Sequence, residues 1–160
     1  MAGTFLSIED LSETVRRHKA AGRRVVLCNG VFDLLHVGHV RYLRAARALG
    51  DVLVVAINDD ASAERLKGAG RPFMPARERA EILCALDCVD YVTSFPDDTP
   101  RGVLDRLRPD VHAKGTDYTA QNVPEAGFDR DLGIQVAIVG DAKDHSTTDL
   151  AAKVSGGRRG

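Results

Sequence analysis

Two histidines in the segment His36-Val37-Gly38-His39 have the types and spacing to do chemistry. They follow the apolar run 25–27 and precede residues 40–50, in which apolar side chains recur at helical spacing. This order predicts a strand, a loop and a helix. Ligands bind at the carboxyl end of a strand in an open α/β sheet, and a helix N-terminus there attracts anions. We expect both imidazoles on one face of the first helical turn, donating to one phosphate chain, with Gly38 permitting close approach. Helix capping or core packing is the alternative interpretation of the pair.

Two later segments add polar groups at matching places. Lys114 and Asp117 follow a short predicted strand, where the lysine can oppose a phosphate and the carboxylate can accept from hydroxyls; an ordinary polar turn is the alternative. Ser146, Thr147 and Thr148 open a predicted helix. Their hydroxyls are either simple N-caps or part of a second phosphate cradle, which we favour because two helix N-termini would then face one anion.

Size and composition restrict the class of protein. The chain has 160 residues, is 44% hydrophobic and carries a formal net charge of -1. These values are typical of one globular domain and provide no basic field to attract nucleic acid, so we expect a small-molecule partner. We see neither a stretch of about 18 apolar residues nor a signal peptide, which predicts a cytoplasmic protein without membrane association.

Three cysteines, Cys28, Cys84 and Cys88, lie in apolar surroundings. We predict buried or half-buried free thiols, because a cytosolic chain of this size needs no disulfide. Cys84 and Cys88 have the spacing of metal ligands on a helix but lack two further ligands, so no metal site is predicted.

The order of elements predicts a single Rossmann-like α/β domain over residues 1–154, with a mainly parallel sheet flanked by helices and a disordered tail at 155–160. Ser7 caps the first helix and Asn58 or Asp59 a later one. The helix that begins at Pro75 has Ile82, Leu83 and Leu86 on its apolar face. The predicted helices span 8–20, 40–50, 61–66, 75–86 and 100–108 with a weak one within 121–131, and the strands span 25–27, 52–57, 91–95, 111–113 and 134–139.

Six segments in order resemble the HxGH nucleotidyltransferases, in particular their cytidylyltransferase-like branch and, within it, the bacterial D-glycero-β-D-manno-heptose 1-phosphate adenylyltransferases. The segments are Asn29-Gly-Val-Phe-Asp33 with His36-Val-Gly-His39, Asn58-Asp-Asp-Ala-Ser62, Arg65-Leu-Lys67-Gly68 with Arg71-Pro72, Asp98-Thr99-Pro100, Lys114-Gly-Thr-Asp117-Tyr118 and Ser146-Thr147-Thr148.

This resemblance implies a role for each matching residue. The catalytic group comprises His36, His39 and Lys67, all donors to the phosphates. The nucleotide-binding group comprises Asn29, Gly30, Phe32, Gly38, Arg79, Lys114, Ser146, Thr147 and Thr148. The acceptor-binding group comprises Asp33, Arg71, Gly115 and Asp117, with Asp33 alternatively helping to hold the metal-bound nucleotide.

The resemblance also implies transfer of the adenylyl group of ATP, with Mg²⁺ carried by the nucleotide, to a sugar 1-phosphate. It implies a homodimer and a separate kinase that supplies the acceptor. The alternatives are the same chemistry with CTP or another nucleotide and an acceptor such as glycerol 3-phosphate, or a nucleotide-binding sensor without catalysis. A dehydrogenase is excluded because no Gly-x-Gly-x-x-Gly follows the first strand.

The chain departs from the family pattern at two places. Thr116 stands where a second glycine is usual, which bears on the backbone and on the identity of the acceptor. Lys143, Asp144 and His145 stand where cytidylyltransferases often carry an arginine, which points away from a typical member of that group. His112 is expected to be a packed strand residue.

Overall fold

A computed structural model gives the fold and describes residues 2–142 and 146–156. Within these residues, six strands form one sheet in which every paired neighbour is parallel. The strand order β1-β4-β3-β2-β5-β6 reverses direction at the junction of β2 and β5. The strands are β1 (Thr4–Phe5), β2 (Val25–Gly30), β3 (Val52–Asn58), β4 (Tyr91–Phe95), β5 (Val111–Lys114) and β6 (Gln135–Ile138).

Seven helices within the same residues flank the sheet and confirm the predicted Rossmann-like class. They are α1 (Ile8–Ala20), α2 (Val37–Arg47), α3 (Asp60–Lys67), α4 (Ala76–Cys84), α5 (Arg101–Leu107), α6 (Ala126–Asp131) and α7 (Thr147–Gly156). The helix α7 includes Ser155 and Gly156, and residues 157–160 of the expected tail lie outside the described part of the chain. None of the helices in 2–142 and 146–156 has the length and apolar character that crossing a bilayer would require.

Both faces of the sheet are buried, which explains the uninterrupted apolar runs of β2 and β3. Side chains alternate along each strand, so Val25 and Leu27 pack with residues of α1 and α5, whereas Val26 and Cys28 pack with residues of α2 and α4. The sheet is therefore fixed from both sides, and the carboxyl ends of its strands form a rigid base for the loops that follow.

The helix starts show which local predictions were correct. Ser7 caps α1 by accepting from the backbone N–H of Asp10 at 3.1 Å, and Asp59 caps α3 by accepting from that of Ser62 at 2.8 Å. Asn58 does not cap; its amide donates to the carbonyl of Asp97 at 3.2 Å. Cys28 and Cys88 are buried and Cys84 is half-buried, all as free thiols, as predicted.

One expectation about α4 was wrong, and one strand was missed. The apolar face of α4 does not include Ile82, which is 39% exposed; the buried residues of this helix are Arg79, Ala80 and Leu83. The helix is rotated because it buries a charged side chain with its own hydrogen-bond partners, a choice that apolar spacing does not reveal. The strand β1 was not predicted, since two residues are too few to form a periodic pattern.

Candidate active site

A cleft of about 630 Å³ lies at the carboxyl ends of the strands. It opens beside β2 and β5, where the strand order reverses, which is the position at which open α/β sheets bind ligands. All the site residues predicted from the sequence except Arg79 line it: Asn29, Gly30, Phe32, Asp33, His36, Gly38, His39, Lys67, Arg71, Lys114, Gly115, Asp117, Ser146, Thr147 and Thr148.

The two histidines stand at the N-terminus of α2, where His36 is the N-cap and His39 is in the first turn. Nδ1 of His36 accepts from the backbone N–H of Gly38 at 3.1 Å, and Nδ1 of His39 accepts from that of His36 at 3.3 Å. The ring centroids are 3.9 Å apart. Because each Nδ1 is an acceptor, each neutral ring carries its hydrogen on Nε2. Capping and donation are thus compatible, since the cap selects the tautomer whose Nε2 can donate.

The loop after β2 packs against His39 of this pair. Phe32 adopts a left-handed backbone conformation with φ of 49°, an uncommon one for a bulky residue. Its ring centroid lies 5.4 Å from that of His39. A Cβ atom at Gly30 would lie 3.1 Å from the Phe32 ring, so the absence of a side chain at Gly30 leaves room for that ring.

Asp33 lines the cleft and also holds a neighbouring segment of the chain. Its side chain is 1% exposed, and its carboxylate accepts from Nε of Arg71 at 2.9 Å. The same carboxylate accepts from the backbone N–H groups of Phe73 at 2.8 Å and Met74 at 3.1 Å. Three donors thus hold this carboxylate in place, and its contact with the acceptor or with the metal-bound nucleotide stays a prediction. Asp33 therefore clamps segment 71–74 against the cleft.

The guanidinium of Arg79 is fully buried and does not reach the cleft, unlike the other residues that the resemblance implies. It donates to the backbone carbonyls of Met74 at 2.9 Å, Val31 at 2.7 Å and Asn58 at 2.8 Å, and to Oδ1 of Asp60 at 2.8 Å. Arg79 thus ties together the chain segments that border the cleft instead of touching a nucleotide. Sequence alone could not distinguish these roles, since an arginine at this position can satisfy carbonyls as well as phosphates.

Lys114 places a cation at the base of the cleft. Its Nζ lies 4.0 Å from Oε2 of Glu125 and 4.6 Å from the centroid of the Tyr118 ring. Burial lowers the pKa of Lys114 below its ordinary value of 10.5, and the Glu125 carboxylate partly opposes that effect. Oε2 of Glu125 is buried without a hydrogen-bond partner in the described part of the chain.

Thr116 joins the two loops that follow β5 and β6. Its hydroxyl donates to the carbonyl of Asp141 at 2.6 Å. A glycine at this position would have no hydroxyl to make that contact. The departure from the family pattern therefore has a structural use, because it braces the loop that carries Gly115 and Asp117 into the cleft.

The N-terminus of α7 borders the same cleft as that of α2. Ser146 is a cap, since its hydroxyl accepts from the backbone N–H of Asp149 at 3.0 Å, and the Thr147 hydroxyl donates to the carbonyl of Leu34 at 3.2 Å. These contacts fix the helix start. The phosphate cradle stays a prediction, and Lys143, Asp144 and His145 lie outside the described residues.

Two further residues make contacts at the site that the sequence did not predict. The Tyr42 hydroxyl, at the cleft wall, donates to the carbonyl of Ala113 at 2.6 Å and links α2 to β5. His112 is buried in β5 as expected, but it also contacts the side chain of Asn29, which lines the cleft. Neither contact has a local signal, because each joins positions far apart in sequence. No group of three or more histidines, cysteines or carboxylates within 2–142 and 146–156 is arranged to hold a metal ion.

The cleft combines the switch point of a parallel sheet with two histidines on a helix start and a buried lysine. Together with the family and the relatives to which the chain is similar, this arrangement indicates an enzyme of the nucleotidyltransferase class. The chain belongs to the cytidylyltransferase-like family, whose model matches residues 27–152. It is 47% identical over 148 residues to the bifunctional protein HldE of Geobacter sulfurreducens and 46% identical over 151 residues to that of Geotalea uraniireducens. These alignments cover 92% and 94% of this chain but only 30% and 31% of the relatives.

A solved structure shares the fold. The lipopolysaccharide core biosynthesis protein from Thermoplasma volcanium superposes with a TM-score of 0.64 at 30% identity. The match covers 77% of this chain and all of that protein.

Proposed function

We propose that the protein transfers the adenylyl group of ATP to a sugar 1-phosphate, D-glycero-β-D-manno-heptose 1-phosphate, and releases pyrophosphate. The observation that carries the transfer chemistry is the histidine pair, whose Nδ1 atoms are both occupied by backbone N–H groups of one helix start. The choice of ATP and a heptose rests on the ordered motifs and on similarity to a protein of lipopolysaccharide core biosynthesis.

In this reaction an oxygen of the sugar phosphate attacks the α-phosphorus in line. A bond forms between these atoms while the bond from the α-phosphorus to the bridging oxygen breaks, and the electron pair leaves with pyrophosphate. The nucleophile is already an anion, so no covalent enzyme intermediate is required. Nε2–H of His36 and His39 would donate to the charge that grows on the bridging and nonbridging oxygens.

The remaining groups bring two anions together. Lys67 and Lys114 would offset the charge of the phosphates, and the backbone N–H groups at the start of α7 would bind phosphate oxygens. Mg²⁺ would enter with the triphosphate and neutralise part of its charge. The acceptor-side contacts of Asp33, Arg71, Gly115 and Asp117 belong to the same proposal. The proposal also includes a homodimer and a separate kinase that supplies the acceptor. The name of the HldE relatives, which calls them bifunctional, supports a second activity in the part of those proteins outside the matched region.

The test measures pyrophosphate release in the presence of Mg²⁺. Each of ATP, CTP, GTP and UTP is combined in turn with heptose 1-phosphate and with glycerol 3-phosphate. Release with ATP and heptose 1-phosphate alone is the expected result. A different productive pair would overturn the substrate assignment and keep the chemistry. Tight nucleotide binding without release from any pair would favour the sensor.

His39→Ala should lower the rate of release by about 100- to 1000-fold, and His18→Ala is the matched control. His18 lies outside the cleft, where it hydrogen-bonds the Tyr91 hydroxyl at 2.9 Å. Equal loss of activity in the two variants would overturn the assignment of the histidine pair.

A further inference from the structure

A buried chain of polar side chains leads from α6 through the sheet to the cleft. Nδ1 of His112 lies 2.8 Å from Oδ2 of Asp129, and Nε2 of His112 lies 2.8 Å from Oδ1 of Asn29. His112 and Asp129 are fully buried, whereas Asn29 is half-buried and lines the cleft. The three residues belong to three different elements, so only the folded sheet brings them together.

The chemistry of these groups fixes the orientation of the ring. A carboxylate oxygen and an amide oxygen both only accept hydrogen bonds, so Nδ1 and Nε2 of His112 each carry a hydrogen, and the ring is the imidazolium partner of the Asp129 carboxylate. Oδ1 of Asp129 has no hydrogen-bond partner in the described part of the chain, which makes the contact with His112 the main compensation for burying this charge. His112 is therefore held in one position, with Nε2 directed at Asn29.

The fixed ring in turn fixes the amide of Asn29. The terminal torsion of an asparagine side chain is broad, so a half-buried amide does not choose its orientation unaided. With Oδ1 on the imidazole, the NH₂ group is at the opposite end of the amide, on the side away from the ring. This places a hydrogen-bond donor at the carboxyl end of β2, beside the cleft.

We propose that His112 and Asp129 are positioning residues that hold the amide NH₂ group of Asn29 toward the cleft, where it donates to an oxygen of the bound substrates. The inference rests on the proposed function, because it takes the ligands to be phosphate esters and a nucleotide. Asn29 is the residue that touches substrate, and the buried pair acts only through it.

The neighbours of His112 support a functional reason for this pair. Val111 and Ala113 on either side of it are buried and apolar, as expected of a strand covered on both faces. A buried ion pair is often no more stable than apolar residues of similar volume, so stability alone does not favour a histidine and an aspartate here. The orientation of Asn29 is what the apolar alternative would lack.

A double-mutant cycle tests the proposal. We would measure kcat and KM for pyrophosphate release in the wild type, His112→Leu, Asn29→Ala and the double variant. Each single change should lower kcat/KM by about 10- to 100-fold. In the Asn29→Ala background, the change at His112 should lower it by no more than about twofold. Equal factors in both backgrounds would overturn the proposal, because a purely structural effect of His112 does not depend on Asn29.

Two further variants keep the test decisive if His112→Leu leaves Asp129 unpaired and unfolds the chain. In that case, the double substitution His112→Leu/Asp129→Leu removes both charged side chains and takes the place of His112→Leu in the double-mutant cycle. His112→Gln can still reach the Asn29 amide, and it should recover much of the lost kcat/KM. No recovery by glutamine in a folded variant would contradict the proposal.

The matched control is His18→Leu, which removes a histidine outside the cleft and should leave kcat/KM within about twofold of the wild type. Thermal unfolding of every variant distinguishes a loss of activity caused by unfolding from one caused by a displaced Asn29 amide. A wild type without activity on any pair would refute the proposed function, whereas an active wild type with additive effects would refute only the role of His112.

Discussion

Nδ1 of His39 accepts a hydrogen bond from the backbone N–H of His36 at 3.3 Å, so the two cleft histidines are joined to each other at the start of α2. Each ring uses one nitrogen for the helix cap and keeps the other for a different partner. The cap and the chemistry therefore depend on different atoms of the same side chain, and substitutions can separate them.

Replacement of His39 by asparagine should separate capping from donation. The Oδ1 atom of asparagine can accept the N–H of His36, whereas its NH₂ group is too close to the backbone to reach the position of Nε2–H. We expect His39→Asn to keep the melting temperature close to that of the wild type and to lower kcat by about 100- to 1000-fold, the same loss that we expect of His36→Ala and His39→Ala. Steady-state pyrophosphate release and thermal unfolding measure the two effects. Near-normal turnover in a folded His39→Asn variant would refute the donor role.

The Asp33 clamp should be important for stability. Asp33→Ala leaves the nearly buried Arg71 without its carboxylate and removes the acceptor for two backbone N–H groups. We expect the free energy of unfolding, measured in urea, to fall by about 3 kcal/mol. Asp105→Ala is the matched control, because it breaks an exposed ion pair with Arg108 and should cost at most about 1 kcal/mol. Equal losses of unfolding free energy in Asp33→Ala and Asp105→Ala would show that the Asp33 contacts stabilise the fold no more than an exposed ion pair does.

Lys114 should limit activity at alkaline pH. Burial lowers the pKa of this lysine below 10.5, so its ammonium group loses the proton at a lower pH than that of an exposed lysine. The charge that binds anions is present below this pKa and is lost as the pH rises through it. We expect kcat/KM to fall on the alkaline side, and Lys114→Arg, whose guanidinium stays charged, to move that fall to higher pH. An unchanged alkaline limb in a folded, active arginine variant would contradict this assignment.

Cys28 should resist alkylation in the native protein. Burial raises the pKa of its thiol to about 12, so at pH 8 only about one molecule in 10,000 carries the reactive thiolate at this position. Cys84 is half-buried and should react first. Mass spectrometry after iodoacetamide treatment measures both rates, with urea-unfolded protein as the control in which all three thiols react. Labelling of Cys28 as fast as Cys84 in the folded chain would contradict the burial of β2.

Local patterns in the sequence determined the class of fold and the ends of the strands that carry the cleft. The apolar runs before Asn29 and Asn58 identified buried parallel strands, because strands covered on both faces need no alternation. Histidines, lysines and hydroxyls directly after such strands could be assigned to one edge, because the carboxyl ends of parallel strands meet there. These inferences required only neighbours in the chain.

The tertiary structure decided which polar groups face the cleft and which hold it together. Arg79 and Asp33 lie in segments that resemble a ligand site, yet their partners are carbonyls, N–H groups and Arg71 from other segments. The link from Asp129 through His112 to Asn29 likewise joins three elements. A polar side chain takes the partners that desolvation leaves within reach, and those partners are set only when distant parts of the chain pack together.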